Sequence, residues 1–162
     1  MNVVRLADCP FVPWRNGGGR TRELLAWPRG DEWLVRVSVA EIEADGPFSP
    51  FPGIDRCFAV LAGAGVELML PTGTVHLGPS DDAVSFAGEA APGCRLIDGP
   101  TRDLNLMARR DAGRASMQRT PPATRTAPWR GLFADGTLWW TDDPSGALPS
   151  HGSGWWLTLE TR

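Results

Sequence analysis

The chain has 162 residues and a formal net charge of −3 at pH 7, and all 16 of its basic residues are arginine. This acidic balance argues against nucleic-acid binding, which needs a basic surface patch. Charged residues make up 22% of the chain and hydrophobic residues 42%, which predicts a folded rather than a disordered protein. The 19 glycines and 15 prolines favour short strands joined by turns over long helices.

No segment predicts export or membrane insertion. The first ten residues lack the apolar run of a signal peptide, and no later run is long enough to span a bilayer. Cys9, Cys57 and Cys94 are odd in number and have no paired spacing, so we expect reduced thiols. These features predict a soluble, cytoplasmic protein.

Short apolar and alternating runs predict strands along the whole chain. The clearest is 33–42, in which the valines share one face and Arg36 and Ser38 lie on the opposite face. No segment holds a helical stripe for three turns, so the pattern predicts an all-β barrel or sandwich. Further strands are predicted at 20–27, 56–61, 66–70, 75–77, 84–86, 95–97, 103–108, 114–120, 137–141 and 155–161.

A glycine-rich segment has the sequence Pro-Trp-Arg-Asn-Gly-Gly-Gly-Arg-Thr-Arg-Glu at 13–23. Consecutive glycines allow the backbone to turn so that successive N–H groups point inward and bind an anion or a carbonyl oxygen. A plain tight turn explains the same residues, and both interpretations stay open. The segment is not a phosphate loop, because the Lys-Ser/Thr pair and the following helix are absent.

The polar face of the clearest strand is a second candidate. A charge such as Arg36 on an otherwise apolar strand has to be paired or has to line a wet cavity, since burying it alone is costly. Pairing with Glu23, Asp55 or Asp103 would satisfy the guanidinium without a ligand. Both the ion pair and the cavity therefore remain open.

Two later segments add polar and aromatic groups. In Asp-Leu-Asn-Leu-Met-Ala-Arg-Arg at 103–110, Asp103, Asn105 and Met107 share the face opposite the leucines. The loop at 45–56, Asp-Gly-Pro-Phe-Ser-Pro-Phe-Pro-Gly-Ile-Asp-Arg, is rigid and aromatic, which is typical of a pocket wall. A packed surface loop is the alternative.

Together these segments resemble the HutD/Ves family, a branch of the cupin superfamily. The matching strings are the three quoted above and Arg-Val-Ser-Val-Ala at 36–40. The resemblance implies an all-β, cupin-like jelly-roll barrel of the bicupin type and a link to the regulation of histidine utilisation. It predicts one compact unit over 1–162, with the main barrel and its pocket in 1–110 and a shortened second β half in 111–162.

The resemblance also leads to a prediction about metal. Metal-binding cupins use a His-x-His pair, a Glu and a later His as ligands. On this chain those positions fall near Ser49 and Phe51, at Arg56 and near Ala91, and none of these side chains holds a divalent cation. We therefore expect neither a metal nor another cofactor.

No catalytic residue is predicted. His76 and His151 are far apart in the sequence, and we expect both to be structural or exposed. Glu23 and Asp103 are candidate acid–base groups, but arginine partners would keep both ionised and unsuited to proton transfer. No nucleophile elbow, Ser/His/Asp set or Cys/His pair stands out.

The polar residues and the resemblance together predict a metal-independent protein that binds a small carboxylate and acts as a sensor or regulator of histidine utilisation. Arg56 favours an anion, because guanidinium binds carboxylate bidentately. Urocanate, formylglutamate, formiminoglutamate and formate are the candidate ligands. The predicted ligand-binding residues are Trp14, Asn16, Gly17, Gly18, Thr21, Arg36, Ser38, Phe48, Ser49, Phe51, Arg56, Asp103, Asn105 and Met107.

Two alternative functions stay open. The same site suits a metal-free cupin enzyme, an isomerase or hydrolase acting on a small acid of that pathway. The paired tryptophans at 139–140 and 155–156 suit a protein-interaction module, although core packing or a homodimer contact explains them more simply. Nucleic acids and membranes are not expected partners.

Overall fold

A computed structural model of the chain describes residues 1–123 and 126–162. Short strands dominate the described residues, with 3₁₀ turns at Leu6–Asp8 and Gly88–Ala90, so the predicted all-β architecture is confirmed. No helix in this part of the chain is long and apolar enough to cross a membrane. In chain order the strands are β1 (Asn2–Arg5), β2 (Phe11–Pro13), β3 (Gly19–Trp27), β4 (Val35–Ile42), β5 (Gly46–Pro47), β6 (Ile54–Ala62), β7 (Val66–Leu70), β8 (Gly73–Leu77), β9 (Val84–Ala87), β10 (Gly93–Leu96), β11 (Thr101–Arg109), β12 (Arg114–Gln118), β13 (Trp129–Ala134), β14 (Thr137–Thr141) and β15 (Trp155–Glu160).

Within the described residues these strands form three antiparallel sheets. The central sheet has the order β2-β3-β4-β11-β6-β9, the outer sheet β1-β14-β13-β15-β12, and the cavity-side sheet β5-β10-β7-β8. Alternate residues of the central strands join two separate apolar cores. The central sheet is therefore covered by the outer sheet on one face and by the cavity-side sheet on the other.

The core between the central and outer sheets is the larger of the two apolar clusters. The valines of β4 and the leucines of β11 lie on this face, because side chains alternate along a strand. They belong to one cluster with Trp129, Leu138 and Leu157 of the outer sheet, each of which is fully buried. Trp155 is buried in the same cluster, so core packing accounts for one of the predicted tryptophan pairs at least in part.

The core between the central and cavity-side sheets is smaller and lies beside polar groups. Phe58 and Val60 of β6 pack there with Val66 and Leu68 of β7. Phe48, from the predicted aromatic loop, belongs to the same cluster. The loop at 45–56 is therefore a surface loop that packs Phe48 inward, while most of its other residues stay exposed.

The sequence patterns miss several strands, of which β13 is the most important. All six of its residues are buried, so it shows no alternation of polar and apolar residues, and Arg130 and Gly131 interrupt its apolar run. They also miss β1, which is largely exposed, and the two-residue β5.

The outer sheet contains strands from both sides of the boundary that is predicted at residue 110. Residues after 110 supply β12 to β15, but the edge strand β1 comes from the beginning of the chain and pairs with β14. The outer sheet also packs on the same central sheet that carries the pocket. The completion of a bicupin by residues 111–162 stays a prediction.

Candidate functional site

A cavity of about 550 Å³ lies on the polar face of the central sheet. Strand alternation and the loop at 45–56 bring most of the predicted ligand-binding residues to it. Gly17, Gly18 and Asp103 are predicted ligand-binding residues that do not line it. Those that do are Trp14, Asn16, Thr21, Arg36, Ser38, Phe48, Ser49, Phe51, Arg56, Asn105 and Met107.

Strand register explains how distant residues meet in this cavity. Arg36 of β4, Met107 of β11 and Arg56 of β6 lie opposite one another in one row across the sheet. Ser38 and Asn105 lie opposite one another in the next row on the same face. Diagonal neighbours in adjacent rows are within reach of long side chains, so Arg56 can contact Asn105.

Arg56 is the most unusual residue of the cavity, because its charge is buried without a carboxylate. Its side chain is 5% exposed, and no ion pair reaches it from the residues described. Nη2 donates a hydrogen bond to Oδ1 of Asn105 at 2.9 Å, whereas the buried Nε has no partner in the described structure. Burial, and secondarily the charge of Arg36, lower the pKa of Arg56 to about 10.

Aromatic rings surround this guanidinium. The Cζ atom of Arg56 lies 5.0 Å from the ring centroid of Phe48, 5.5 Å from that of Phe51 and 5.2 Å from that of Phe86. At these distances the ring faces attract the cation electrostatically. The rings also exclude water, which strengthens any further polar contact to the guanidinium.

Arg36 forms an ion pair and also lines the cavity, so both interpretations of this residue apply. Its Nε donates to Oε1 of Glu23 at 2.8 Å, so of the three predicted partners Glu23 is the one that binds it. Asp55 pairs instead with Arg110. Because Glu23 is held by Arg36, the prediction that an arginine partner occupies this carboxylate is confirmed.

The glycine-rich segment forms a tight turn, which is one of the two interpretations that its sequence left open. The backbone N–H of Gly17 donates to the carbonyl oxygen of Trp14 at 3.1 Å, and that of Gly18 donates to Oδ1 of Asn16 at 2.8 Å. Both donors are therefore used within the turn and are not free for a ligand. Gly19 allows close packing, since an added Cβ would lie 2.4 Å from the carbonyl oxygen of Glu41.

The turn positions an aromatic wall of the cavity. The added Cβ at Gly19 would also lie 3.1 Å from the Trp14 ring, so the glycine provides the space that this indole occupies. Nε1 of Trp14 donates to Oγ1 of Thr21 at 2.7 Å, which fixes the orientation of the ring. The segment contributes to the cavity through these side chains rather than through its amides.

Asp103 has neither of its two predicted roles, which are that of a ligand-binding residue and that of a carboxylate kept ionised by an arginine. It is fully buried, does not line the cavity and has no arginine partner among the described residues. Its Oδ2 accepts a hydrogen bond from the Thr101 hydroxyl at 2.8 Å, whereas Oδ1 has no partner in the described part of the chain. Burial raises the pKa of Asp103 to about 7, and the hydrogen bond from Thr101 lowers it by a smaller amount. The carboxyl is neither a cavity residue nor held ionised by a guanidinium.

The cavity residues do not fit the metal that many cupins bind. Ser49, Phe51 and Arg56 line the cavity at the positions aligned with metal ligands, whereas Ala91 does not line it. No group of three or more His, Cys, Asp and Glu side chains arranged to hold a metal occurs within 1–123 and 126–162. The one carboxylate among the described lining residues, Glu23, is ion-paired, and the guanidinium of Arg56 repels a cation.

The histidines are both remote from the cavity. His76 of β8 is exposed and pairs with Glu67 at 3.0 Å, and His151 pairs with Asp135 at 3.1 Å. Their placement agrees with the expectation that both are structural or exposed.

Sequence reasoning missed Arg15 and one ring, and it treated Glu23 as an ion-pair or acid–base group but not as a ligand-binding residue. Arg15 and Glu23 both line the cavity and both lie in the glycine-rich segment. Phe86 contacts Arg56 from β9, where it lies opposite that residue. Only the pairing of β6 with β9 would have indicated Phe86.

Comparisons with known proteins agree with the resemblance of the motifs. The HutD family model matches residues 6–141. A Pseudomonas putida relative, an uncharacterized 21.2 kDa protein in the hutC 3′ region, is 36% identical over 120 residues, which cover 73% of this chain and 63% of that protein. Protein Ves of Cronobacter sakazakii is 32% identical over 159 residues, which cover 96% of this chain and 87% of that protein. The matched region therefore spans less than two thirds of the P. putida relative.

Solved structures show the same relationship. HutD from Pseudomonas fluorescens SBW25, in a formate condition, superposes with a TM-score of 0.86 at 29% identity over 99% of this chain and 98% of that chain. The cupin domain of Cnp3 from Schizosaccharomyces pombe has a TM-score of 0.52 at 14% identity, covering 64% of this chain and 71% of that one, which shows a shared fold alone. The predicted cupin-like fold and the predicted family are both confirmed: the chain belongs to the HutD family.

Proposed function

We propose that this protein binds a small carboxylate without a metal and acts as a sensor or regulator in histidine utilisation. The observation that carries the proposal is the buried guanidinium of Arg56, which has no carboxylate partner among the described residues and has an unused Nε. An uncompensated buried charge costs several kcal/mol, on the order of the penalty for breaking a buried ion pair. A bound anion supplies the missing charge.

The surroundings of Arg56 favour a carboxylate over other anions. Guanidinium and carboxylate are both planar and form paired, charge-assisted hydrogen bonds. Asn105 takes one Nη2 hydrogen bond of Arg56 and thereby fixes the plane of the guanidinium. Phe48 and Phe51 provide apolar contacts for the rest of a small ligand. A planar unsaturated acid such as urocanate would stack on such rings.

The relatives support the choice of pathway. The P. putida relative belongs to the hutC 3′ region, and the HutD structure from P. fluorescens was obtained in a formate condition. Formate is the smallest carboxylate and fits a site built around one guanidinium. Urocanate, formylglutamate and formiminoglutamate carry the same group on a larger body that the 550 Å³ cavity accommodates.

Binding explains the cavity better than catalysis does. An isomerase or hydrolase needs a group that exchanges a proton with its substrate. Glu23, the carboxylate among the described lining residues, is engaged by Arg36, and Asp103 lies outside the cavity. The side chains present are suited to holding an acid in place.

A thermal-shift and calorimetric screen tests the proposal. The screen compares formate, urocanate, formylglutamate and formiminoglutamate with the uncharged amide of each acid, in the presence and absence of zinc. An acid at a hundred times its Kd stabilises the fold by about 2.7 kcal/mol, whereas the amides leave the melting temperature unchanged. The proposal fails if no acid shifts the melting temperature, or if a shift requires zinc.

The regulatory part needs a separate test in cells. Replacing the chromosomal gene with one encoding Arg56→Met is expected to change the expression of the histidine-utilisation genes in the same direction as deletion of the gene. Normal expression with Arg56→Met, at a normal protein level, would contradict a sensing role for this cavity.

A further inference from the structure

Residues 48–53 form one wall of the cavity, and this wall is called the cavity loop below. Its inner side supplies Phe48, Ser49 and Phe51 to the cavity. Its outer side meets Arg110 and Glu89, which do not line the cavity and have no role in the carboxylate contacts described above. Arg110 belongs to the segment 103–110 that the sequence singles out.

The guanidinium of Arg110 binds two carboxylates and one backbone carbonyl oxygen. Its Nη1 and Nη2 donate to the two carboxylate oxygens of Glu89 at 3.0 and 2.7 Å, which is a bidentate pair. Its Nε donates to Oδ1 of Asp55 at 2.8 Å, and Nη2 also reaches the carbonyl oxygen of Ile54 at 3.2 Å. The guanidinium thus joins the segment after the cavity loop to the turn at 88–90.

Backbone and side-chain hydrogen bonds carry this connection into the loop itself. The N–H of Gly53 donates to Oε2 of Glu89 at 3.2 Å, and the N–H of Arg110 donates to the carbonyl oxygen of Gly53 at 2.9 Å. The N–H of Phe51 donates to the carbonyl oxygen of Gly88 at 2.9 Å. An added Cβ at Gly88 would lie 2.2 Å from the carbonyl oxygen of Phe51, so the turn and the loop are in direct contact.

An ordinary surface ion pair is the simplest interpretation of Arg110 and Glu89, whose side chains are 37% and 46% exposed. Such pairs contribute little to global stability. Here, however, both partners also bind the backbone at one end of the cavity loop. The local consequence is therefore larger than the global one.

We propose that Arg110 and Glu89 are positioning residues, which form a clasp that holds the cavity loop with Phe48 and Phe51 beside Arg56. Its consequence for ligand affinity rests on the proposed carboxylate-binding function. If the loop leaves this conformation, the rings no longer border the guanidinium and water reaches it. The apparent affinity then falls in proportion to the fraction of molecules that keep the loop closed.

The test compares Arg110→Gln and Glu89→Gln with Arg109→Gln in the full-length protein. Arg109 is a matched control, because it is the adjacent residue, is 48% exposed and pairs with Asp111 outside the loop. Hydrogen exchange of the peptide covering 48–54 is measured without ligand, and the Kd for formate and urocanate is measured by calorimetry. The melting temperature of each variant is recorded.

Arg110→Gln and Glu89→Gln are each expected to exchange the 48–54 amides about fivefold faster than Arg109→Gln, which is the size of one well-made exposed ion pair. Both are expected to bind the acids more weakly, but by a smaller factor, because a loop that is closed in most wild-type molecules loses only part of its closed population. Their melting temperatures should stay within about 3 °C of the control. Equal exchange and equal Kd in Arg110→Gln and Arg109→Gln would overturn the clasp. The clasp would also be overturned if the weaker acid binding of a variant were explained by a lower melting temperature of the whole protein.

Failure of the clasp and failure of the binding function give different results. If the wild-type protein binds neither acid, the proposed function fails, and hydrogen exchange alone decides whether the clasp orders the loop. If the wild type binds and the three variants match it in affinity and exchange, the clasp fails and the binding function stands.

Discussion

Nη2 of Arg56 donates to Oδ1 of Asn105 at 2.9 Å, and both side chains are 5% exposed. The amide oxygen satisfies one donor of the guanidinium but supplies no negative charge. The pair is therefore suited to hold a cation in a fixed orientation while leaving its charge for another molecule. The predictions on Arg56 and Asn105 below follow from this relationship.

Arg56→Met should separate stability from binding. Methionine has a similar length and is apolar, so it removes the buried charge and keeps contact with the surrounding phenylalanines. We expect the free energy of unfolding of the ligand-free protein to rise, since replacing buried ion pairs by apolar residues gains up to about 1–4 kcal/mol. The loss of the donor to Oδ1 of Asn105 offsets part of that gain. The acid-dependent thermal shift should disappear. Urea unfolding and the thermal-shift screen measure the two effects, and a destabilised variant that still binds acids would contradict the assignment.

Asn105→Asp should block the site from within. The new carboxylate lies in the position of the amide oxygen that accepts from Arg56 and satisfies the charge that the ligand otherwise neutralises. The affinity for the acid is expected to fall more than about tenfold, because the new carboxylate repels the carboxylate of the ligand. A tenfold loss corresponds to about 1.4 kcal/mol. Isothermal calorimetry measures the loss. Asn105→Ala is the control: it also removes the hydrogen bond but leaves Arg56 unpaired, so it should retain more affinity than the aspartate.

Asp103 predicts a specific dependence of stability on pH. Its pKa is raised from an ordinary 3.8 to about 7 in the folded protein, so the folded state binds more protons than the unfolded state between these values. The contribution of Asp103 to the free energy of unfolding therefore falls as pH rises through this window and is constant above it.

The variant Asp103→Asn tests this directly, since it removes the ionisation and keeps an acceptor for the Thr101 hydroxyl. Its melting temperature should exceed that of the wild type at pH 8, and the difference should shrink toward pH 5. A difference between the two proteins that does not change with pH would show that Asp103 does not titrate in this range.

Gly19→Ala tests the packing behind the aromatic wall. An added Cβ would lie 2.4 Å from the Glu41 carbonyl oxygen and 3.1 Å from the Trp14 ring, so both would have to move. Overpacking of this kind costs about 1–3 kcal/mol of unfolding free energy, and displacing the indole should also weaken acid binding. Gly30→Ala is the matched control, because nothing lies within 4 Å of its added Cβ. Chemical denaturation of the two variants should differ clearly, and equal stability would contradict the close approach at Gly19.

The local patterns predicted the faces of single strands well. Alternation along 33–42 and 103–108 placed Arg36, Ser38, Asn105 and Met107 together on one face, because side-chain direction depends only on position within a strand. The motif resemblance then added the fold and the importance of Arg56. Neither source depended on knowing which strands are neighbours.

Two of the residues that sequence reasoning placed wrongly or missed, Phe86 and Asp103, depend on long-range contacts. The contact of Phe86 with Arg56 depends on the pairing of β6 with β9, and the isolation of Asp103 depends on which groups the cavity-side sheet brings near it. The glycine run left two interpretations open, because such a run permits several backbone paths. The hydrogen bonds of Gly17 and Gly18 to Trp14 and Asn16 correspond to the tight turn.

The pairing of β1 with β14 has a consequence for the order in which the protein folds during synthesis. Asn2 lies opposite Trp140, so β1 leaves the ribosome long before its partner strand β14 has been made. The cavity-lining residues run from Val12 to Met107, and their strands emerge much earlier. A nascent chain that ends between β11 and β12 therefore presents the valine-rich face of the central sheet without its cover. Exposed apolar surface of this kind promotes aggregation, so we expect a chaperone to bind this intermediate.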